Sequence, residues 1–337
     1  RALAALRGET PEGMVERVNT IVAFTGIGDS GAPRRHDVGT APDGLQDGWV
    51  VSEKGGVVFN EDASMLFVGT KAQEEELPEW DEETGLPLAD VNIWHWQDDR
   101  IQAQQQVELN RDRNRTYVAA VHLDDARLVQ LADERMRTVE ITRDGRYGIG
   151  RDDREYVSDW RPDVADYFRI DTRSGERMPV LVAHLRTLGL SHDGDHWLYW
   201  KDGHVWDYRV ADDEHVNLTE AADVDFANAE FDRFGEKPPY GIAGWAADGE
   251  GVLLNHRYDL YLQSFDASPA ENLTGGFGTE GEIRLRYVRT DDDEREIDFD
   301  EPLLLEAYGE WTKKEGFFEL DGDDLEELTW EDVRFSY

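Results

Sequence analysis

LGLSHDGDHWLYWKDGHVWDYRVADDEHVNLT, residues Leu188–Thr219, returns in altered form as AGWAADGEGVLLNHRYDLYLQSFDASPAENLT, residues Ala243–Thr274. In both copies an Asp-Gly pair stands at the same distance before Asn-Leu-Thr. Each copy is typical of a strand, a tight Asp-Gly turn, a second strand, another turn and a third strand that ends near Asn-Leu-Thr. A repeat of about 50 residues indicates the blade of a β-propeller, a ring of antiparallel sheets.

Apolar residues occupy matching places in the two copies. We align Trp197-Leu198-Tyr199 with Val252-Leu253-Leu254, and then Val205, Trp206 and Tyr208 with Leu260, Tyr261 and Phe265. Weaker copies surround Asp62-Ala63 and Asp144-Gly145, and a last one follows Ile283 and places Glu327-Leu328-Thr329 where Asn-Leu-Thr stands elsewhere. Residues Val333–Tyr337 are typical of the first strand of another blade. We therefore predict an all-β fold, a β-propeller of four-stranded antiparallel blades with about five to six blades in an incomplete ring.

The predicted organisation is a lead-in with a partial blade over residues 1–45, followed by propeller blades over residues 46–337. The first 20 residues suit a short helix or an irregular segment, and the Gly, Pro and Asp content of residues 26–44 predicts a loop. Insertions are expected near residues 74–90, 98–114, 151–165 and 220–240. The second insertion is rich in helix formers and predicts a helix. Just before it, Val91–Trp96 predicts a strand packed with aromatic side chains.

Composition excludes several classes of partner. Lys+Arg total 35 and Asp+Glu total 75, for a formal charge of −40. Nucleic acid and anionic membrane surfaces need excess positive charge, so neither is expected as a partner. No apolar run approaches the roughly 18 residues of a membrane span, so no membrane insertion is expected. A diffuse acidic surface is typical of a protein from a salt-adapted organism, in which high ionic strength screens self-repulsion.

The chain contains no cysteine, which excludes disulfides and thiolate metal sites. It begins RALAALRGETPEGMVERVN, without an initiator Met or the pattern of a signal peptide. This start is typical of the interior of a longer gene product, so we expect a fragment.

Few residues suggest chemistry. Gly28-Asp29-Ser30-Gly31 is similar to a stretch of trypsin-like proteases, but the favoured interpretation is a Gly-rich loop. Asp193-Gly194 lacks the Asp-x-Gly spacing of the sialidase Asp-box and is favoured as a hairpin turn. His192, His196 and His204 flank that turn, where their spacing does not place them on one face for a metal.

The remaining polar motifs favour structural roles. The acidic runs Asp291–Glu294 and Asp321–Asp324 lack the ligand spacing of a calcium loop. Asn114, Asn217 and Asn272 begin glycosylation sequons, of which two are the strand ending of the repeat itself. We therefore assign no catalytic, cofactor-binding or metal-binding residue, and expect no cofactor.

Several segments resemble one peptidase family. They are the run DVNIWHWQDDRIQAQQQ (90–106), the segments 116–133 and 190–219, and PYGIAGW (239–245). Over residues 45–337 the chain is similar to the N-terminal propeller of bacterial prolyl oligopeptidase family serine peptidases, of the dipeptidyl peptidase or acylaminoacyl peptidase kind. The resemblance implies a parent serine peptidase with a C-terminal α/β-hydrolase domain that is absent from this chain, and a propeller that caps it and gates access of peptide substrates.

No catalytic residue of that family can be carried over, because this chain ends before any hydrolase domain. In dipeptidyl peptidase relatives a glutamate pair on the propeller meets the substrate's N-terminus, but Glu74-Glu75-Glu76 does not match it residue by residue. The resemblance favours a periplasmic or secreted location in a bacterium. Two other classes stay open: a stand-alone binding or scaffold propeller, and a glycan-active propeller with carboxylates clustered at its centre.

Overall fold

The computed structural model describes residues 1–77, 93–98, 100–157, 163–247, 249–291 and 293–335. Within them the regular secondary structure is almost entirely β-strand, with two helices. It divides into two compact units, residues 1–185 and 186–337. Four of its six sheets, one in the first unit and all three in the second, have four antiparallel strands that pair in chain order. The predicted all-β fold of propeller blades is therefore confirmed.

The first unit begins with a sheet where the sequence predicted a helix or an irregular lead-in. Its strands are β1 (Leu3–Glu9), β2 (Val18–Thr25) and β3 (Arg34–Val38). Exposure alternates residue by residue along β1, which is the period of two that defines a strand. β3 lies inside the predicted loop, so that prediction was wrong in part. It forms because it pairs with β2, Val38 opposite Ile21, and local Gly and Pro content does not reveal such a contact.

The second sheet contains β4 (Trp49–Val51), β5 (Val57–Phe59), β6 (Met65–Ala72), β7 (Tyr117–His122) and β8 (Arg127–Gln130). β4 and β5 pair with successive parts of β6, so together they form one interrupted first strand of a four-stranded blade. At the interruption Gly55 lies against Gly69, where a Cβ added to Gly55 would meet the Gly69 Cα at 2.6 Å.

The segment between β6 and β7 holds the predicted helix, α1 (Gln102–Arg113). The predicted strand was wrong over Ile93–Trp96, the part of it that the structure describes. These residues are irregular and exposed, with Trp94 60% and Trp96 79% accessible. Aromatic content favours a strand only where a neighbouring strand covers the side chains, and none does so here among the described residues. Most of the predicted insertion 74–90 lies outside the described residues.

The third sheet of this unit contains β9 (Thr138–Ile141), β10 (Tyr147–Asp152), β11 (Ala165–Asp171) and β12 (Arg177–His184). Its strands pair as a simple meander. The Asp144-Gly145 turn joins β9 to β10, with Gly145 at φ 77°, a backbone conformation that glycine adopts without strain.

The second unit contains three meanders. The first has β13 (Thr187–Leu190), β14 (His196–Lys201), β15 (His204–Arg209) and β16 (Glu214–Asn217). The next has β17 (Ile242–Trp245), β18 (Gly251–Asn255), β19 (Leu260–Ser264) and β20 (Glu271–Asn272). The short helix α2 (Phe277–Gly281) precedes the last, with β21 (Ile283–Tyr287), β22 (Leu303–Gly309), β23 (Glu315–Asp321) and β24 (Asp324–Glu331).

Asn-Leu-Thr has the same structural role in both copies of the repeat, although its Asn ends the fourth strand and not the third. The Thr219 hydroxyl accepts a hydrogen bond from the Val205 backbone N–H at 3.0 Å, and the Thr274 hydroxyl accepts from the Leu260 N–H at 3.4 Å. Thr274 also donates to the buried carboxylate of Asp259 at 2.7 Å. The threonine therefore ties the end of each meander to the start of its third strand.

Two alignments within the repeat were wrong. The Val210 N–H bonds to the Asp195 carbonyl as the Phe265 N–H bonds to the Glu250 carbonyl, so Phe265 is equivalent to Val210 and not to Tyr208. The last meander also departs from the frame. There Thr329 lies inside β24, and the described residues 333–335 form no strand.

Successive sheets within each unit pack face to face through apolar clusters. In the first unit one cluster joins Ile21 and Val38 to Leu66 and Val121 of the second sheet. In the second unit Leu198 and Trp200 of the first meander pack with Val252 and Leu254 of the next, and Leu253 packs with Leu305 of the last. This stacking of sheets is the packing of propeller blades.

A buried ion cluster joins the first two sheets. Glu16 is 1% exposed and accepts from Lys71 Nζ at 2.5 Å and from Lys54 Nζ at 2.7 Å. Burial raises the pKa of the Glu16 carboxyl, but the hydrogen bonds from both lysines outweigh it and leave the pKa lowered. Lys71 also donates to the Arg113 carbonyl at the C-terminal end of α1, at 2.7 Å.

Replacing Glu16 with Gln should lower the free energy of unfolding by about 3 kcal/mol, because Lys71 then stays buried without a counter-charge. The loss should be complete above pH 4.5 and shrink as the pH falls through the lowered pKa of Glu16, since protonation removes the same charge. Urea denaturation at several pH values measures it. Glu61→Gln, which breaks an exposed pair with Arg143, is the control and should cost about 0–0.5 kcal/mol. Equal losses would contradict the role of burial.

Replacing Thr274 with Val should cost about 1–3 kcal/mol, because it removes a hydrogen bond to the buried Asp259 and the acceptor of the Leu260 N–H. The matched control is Thr329→Val. No hydrogen bond of the Thr329 hydroxyl is found in the described part of the chain, so this change should cost less than about 0.5 kcal/mol. Denaturation midpoints that shift by the same amount would argue against the structural role of Asn-Leu-Thr.

Candidate ligand-binding cleft

Residues that suggested a hydrolase lie apart from any catalytic arrangement. Ser30 is exposed in the loop between β2 and β3. Ser191 lies closer to a His-Asp pair, since His196 Nδ1 is 2.7 Å from Asp207 Oδ2. The Ser191 hydroxyl, however, donates to Asp193 and accepts from the backbone N–H of His196. A nucleophilic serine must donate to the imidazole, so these residues do not form a triad.

The three histidines around the Asp193-Gly194 turn have separate environments. His196 stacks on Phe265 with ring centroids 3.7 Å apart. His204 begins β15, paired with Lys201 at the far end of β14, and its Nδ1 is 3.3 Å from the Thr219 hydroxyl. Among the described residues no group of three or more His, Asp or Glu side chains is arranged to hold a metal ion.

The other acidic motifs have structural or surface positions. Glu75 forms an isolated β-bridge with Met14, and the Glu76 N–H donates to the Gly13 carbonyl at 2.9 Å. Asp321–Asp324 is the tight turn between β23 and β24. Within the described parts of the chain no helix is both long and apolar enough to cross a membrane.

A cleft of about 940 Å³ lies in the first unit, beside α1 and the β9–β10 hairpin. Its walls carry an unusual number of cations for a chain with a net charge of −40. The arginines that line it are Arg100, Arg111, Arg115, Arg137, Arg151 and Arg154. Since carboxylates outnumber basic residues about two to one in the chain as a whole, this arginine-lined cleft is a local reversal of charge.

Two structural elements bring the arginines together. Arg111 lies on α1, and Arg100 and Arg115 flank that helix. On the opposite side, antiparallel pairing of β9 with β10 places Thr138 opposite Arg151. The helix and the hairpin are separated in sequence by two strands of another sheet, so only the folded chain assembles the cleft.

Most of these arginines already have carboxylate partners. Arg100 pairs with Glu108 and, at 2.6 Å, with Asp112. The hydrogen bond that Arg100 donates to Asp112 raises the pKa of Arg100, and the hydrogen bond that Arg100 donates to Glu108 lowers the pKa of Glu108. Arg151 pairs with Asp153 and, at 2.6 Å, with Asp163. These pairs neutralise much of the positive charge and hold the walls in place.

Arg137 differs from them. It is half-buried, and its Nε donates only to the backbone carbonyl of Glu134, at 3.3 Å. No carboxylate partner of its guanidinium is found among the described residues. Burial raises the pKa of the Tyr117 hydroxyl, and the positive charge of Arg137 opposes that rise, as do those of two other arginines of the cleft, Arg115 and Arg154. The negative charge of Glu134 acts in the other direction and raises the pKa of Tyr117.

An apolar pocket of about 290 Å³ adjoins the arginine-lined cleft. The two share Arg137 and Thr138, and the pocket is otherwise lined mainly by Val58, Phe67 and Val139 with neighbouring small residues. Gly69, which lines the pocket, lies so close to Gly55 that a Cβ added to Gly69 would meet the Gly55 Cα at 2.8 Å. The polar cleft and the hydrophobic pocket therefore adjoin at the guanidinium of Arg137.

Ile93, Trp94 and Trp96 lie next to the cleft in sequence, since Gln97 and Asp98 contribute to its wall. Their side chains are mostly exposed, and among the described residues the Trp96 ring has a ring contact only with His95, in a tilted arrangement with centroids 5.6 Å apart. The most distinctive segment of the sequence therefore does not belong to the core of a sheet.

Sequence reasoning missed the arginines of the cleft. The only signal was the density of arginine between residues 100 and 154 in an otherwise acidic chain. That density does not distinguish a shared cleft from scattered surface ion pairs, because the strand pairing that unites the residues is not local.

No protein-family model matches the chain, and no curated protein matches its sequence. Peptidases are among the solved structures to which it is similar, as the sequence resemblance predicted. Over 64% of its length the chain is similar to dipeptidyl peptidase 4 from Porphyromonas gingivalis, with a TM-score of 0.43 and 13% identity. It spans 37% of that peptidase.

Two other similar structures match this chain over most of their own length. One is the β-propeller domain of the trilobed protease from Pyrococcus furiosus, with a TM-score of 0.33, 12% identity and coverage of 97% of this chain and 94% of that one. The other is a putative TolB from Agrobacterium tumefaciens, with a TM-score of 0.34, 12% identity and coverage of 88% and 84%. The chain is thus similar both to the propeller domain of a protease and to a putative TolB.

Proposed function

We propose that this chain is the non-catalytic propeller portion of a prolyl oligopeptidase-like serine peptidase, and that it caps a C-terminal α/β-hydrolase domain and gates the access of peptides to it. Support comes from the sequence resemblance over residues 45–337 and from the meander sheets that stack as blades do. Within the proposed enzyme the chain contributes no nucleophile, general base or orienting acid.

One observation carries the proposal. The run that most resembles the peptidases contains Trp94 and Trp96, and both side chains are exposed. Packing within a blade therefore does not explain why large aromatic residues occupy these positions. Exposed aromatic side chains are typical of surfaces that meet another domain or a ligand. A hydrolase domain or a peptide held beneath it would supply that contact.

A stand-alone binding propeller is the second candidate, and the arginine-lined cleft favours it, because a ligand can bind there without any hydrolase. The reading frame beyond Tyr337 separates the two. The peptidase proposal expects a Gly-x-Ser-x-Gly segment followed by an Asp and a His, and a frame that ends at Tyr337 would leave the binding propeller.

The chain alone should not hydrolyse peptide esters or peptide p-nitroanilides above the uncatalysed rate, because Ser30 and Ser191 are not paired with a base. Rate measurements with the chain and with its Ser30→Ala variant should agree within error. Turnover that Ser30→Ala abolishes would refute the assignment as a non-catalytic portion.

Replacing Trp94 and Trp96 together with Ala should change the free energy of unfolding of this chain by less than about 0.5 kcal/mol, since neither side chain is buried. The same pair of changes should lower peptidase activity in the longer protein. Trp200→Ala is the matched control, because Trp200 is 0% exposed and its loss should cost about 3–5 kcal/mol. Large destabilisation by the Trp94 and Trp96 changes would show that they serve the fold instead.

A further inference from the structure

The charge balance of the arginine-lined cleft limits the ligands that suit it. Asp98, Glu108, Asp153 and Asp163 line the cleft together with the arginines. A polyanion such as a nucleoside triphosphate would meet these carboxylates and be repelled by them. A ligand with few negative charges suits the cleft better, because only the half-buried Arg137 and the exposed Arg154 have no carboxylate partner among the described residues.

The guanidinium of Arg137 is suited to a carboxylate. Its planar fork can donate two parallel hydrogen bonds to the two oxygens of one carboxylate, a geometry that lysine cannot provide. Only its Nε is engaged, with the Glu134 carbonyl, so the terminal nitrogens face no carboxylate in the described structure. Arg115 and Arg154 add positive potential in the same region.

The neighbouring pocket defines the rest of the ligand. Val58, Phe67 and Val139 form an apolar site that meets the polar cleft at Arg137 and Thr138. Its volume of about 290 Å³ accommodates one aliphatic or aromatic side chain. One molecule can place a carboxylate on Arg137 and an apolar group in this pocket if the two lie a few bonds apart. The last residue of a peptide meets this condition, because its carboxylate and its side chain are both bonded to the same Cα.

We propose that the arginine-lined cleft binds the C-terminal residue of a peptide, with Arg137 pairing with the terminal carboxylate and the apolar pocket receiving a hydrophobic side chain. That the ligand is a peptide rests on the proposed function. The amide side chains of Gln97 and Gln104 on the cleft wall can pair with backbone groups of the preceding residues. The chain would thus select peptides by their C-terminal end.

Isothermal titration of the whole chain tests this with three tetrapeptides and one inorganic ion. The probes are Ala-Ala-Ala-Leu with a free carboxylate, its C-terminal amide, Ala-Ala-Ala-Ala with a free carboxylate, and phosphate. The free leucine peptide should bind at least about 10-fold more tightly than its amide, as the loss of a charged hydrogen bond requires. It should also bind several-fold more tightly than the alanine peptide, because the pocket is apolar.

Variants of cleft residues test whether these binding preferences arise in the cleft. Arg137→Gln should remove the preference for the free carboxylate, and Arg143→Gln, which alters an exposed pair with Glu61 outside the cleft, should leave it unchanged. Val58→Ser should remove the preference for leucine over alanine. Val58 is 60% exposed, so this variant remains informative if Arg137→Gln does not fold.

Three results would overturn the proposal. The first is that no peptide binds at concentrations up to 10 mM, which corresponds to a binding free energy of about −3 kcal/mol. The second is that the free acid and the amide of the leucine peptide bind equally. The third is that phosphate competes as well as the leucine peptide, which would indicate a simple anion site. The binding measurement involves no hydrolysis. A chain that binds peptide ends without any hydrolase in its gene would leave this inference intact and refute only the peptidase proposal.

Discussion

Face-to-face packing of successive sheets is the constraint on which the rest of the structure depends. Each meander presents apolar residues to the next, as Leu198 and Trp200 do to Val252 and Leu254. A strand buried between two such sheets must be apolar on both faces, and only its ends and turns are free to vary. Polar side chains have a structural role at strand ends, where Thr219 and Thr274 join the fourth strand to the third.

Much of this was predictable from sequence where pattern and local geometry agree. The two best copies of the repeat predicted the Asp-Gly turns and three of the four strands of each sheet, because Asp-Gly turns and apolar strands have local signals. Errors arose where a contact distant in sequence decides the outcome. β3 forms within a Gly- and Pro-rich stretch because β2 pairs with it. Ile93–Trp96 has the composition of a strand but has no strand beside it in the described structure.

The candidate cleft was beyond prediction for the same reason. Its arginines come from a helix and a hairpin that belong to different parts of the first unit. What they share is that they line the same cleft between these two elements. Sequence reasoning identified serine, histidine and acidic motifs, which have recognisable patterns, and the structure gives those motifs roles in turns and strand ends. Arginine has no such pattern. The function of these arginines depends on which guanidinium groups already form ion pairs with carboxylates. Only the three-dimensional structure shows those pairs.

α1 has no buried side chain, and this has a consequence for how the first unit responds to its surroundings. A 12-residue helix is marginal in water by itself, and apolar packing contributes little to this one. It is held instead by partly exposed ion pairs and by the bond from Lys71 to its last carbonyls. Ionic strength weakens such attachments while it strengthens a highly acidic protein as a whole. Salt would thus stabilise the sheets and loosen α1, which forms one wall of the cleft. The same change of solvent would make the sheets more rigid and the cleft wall less rigid.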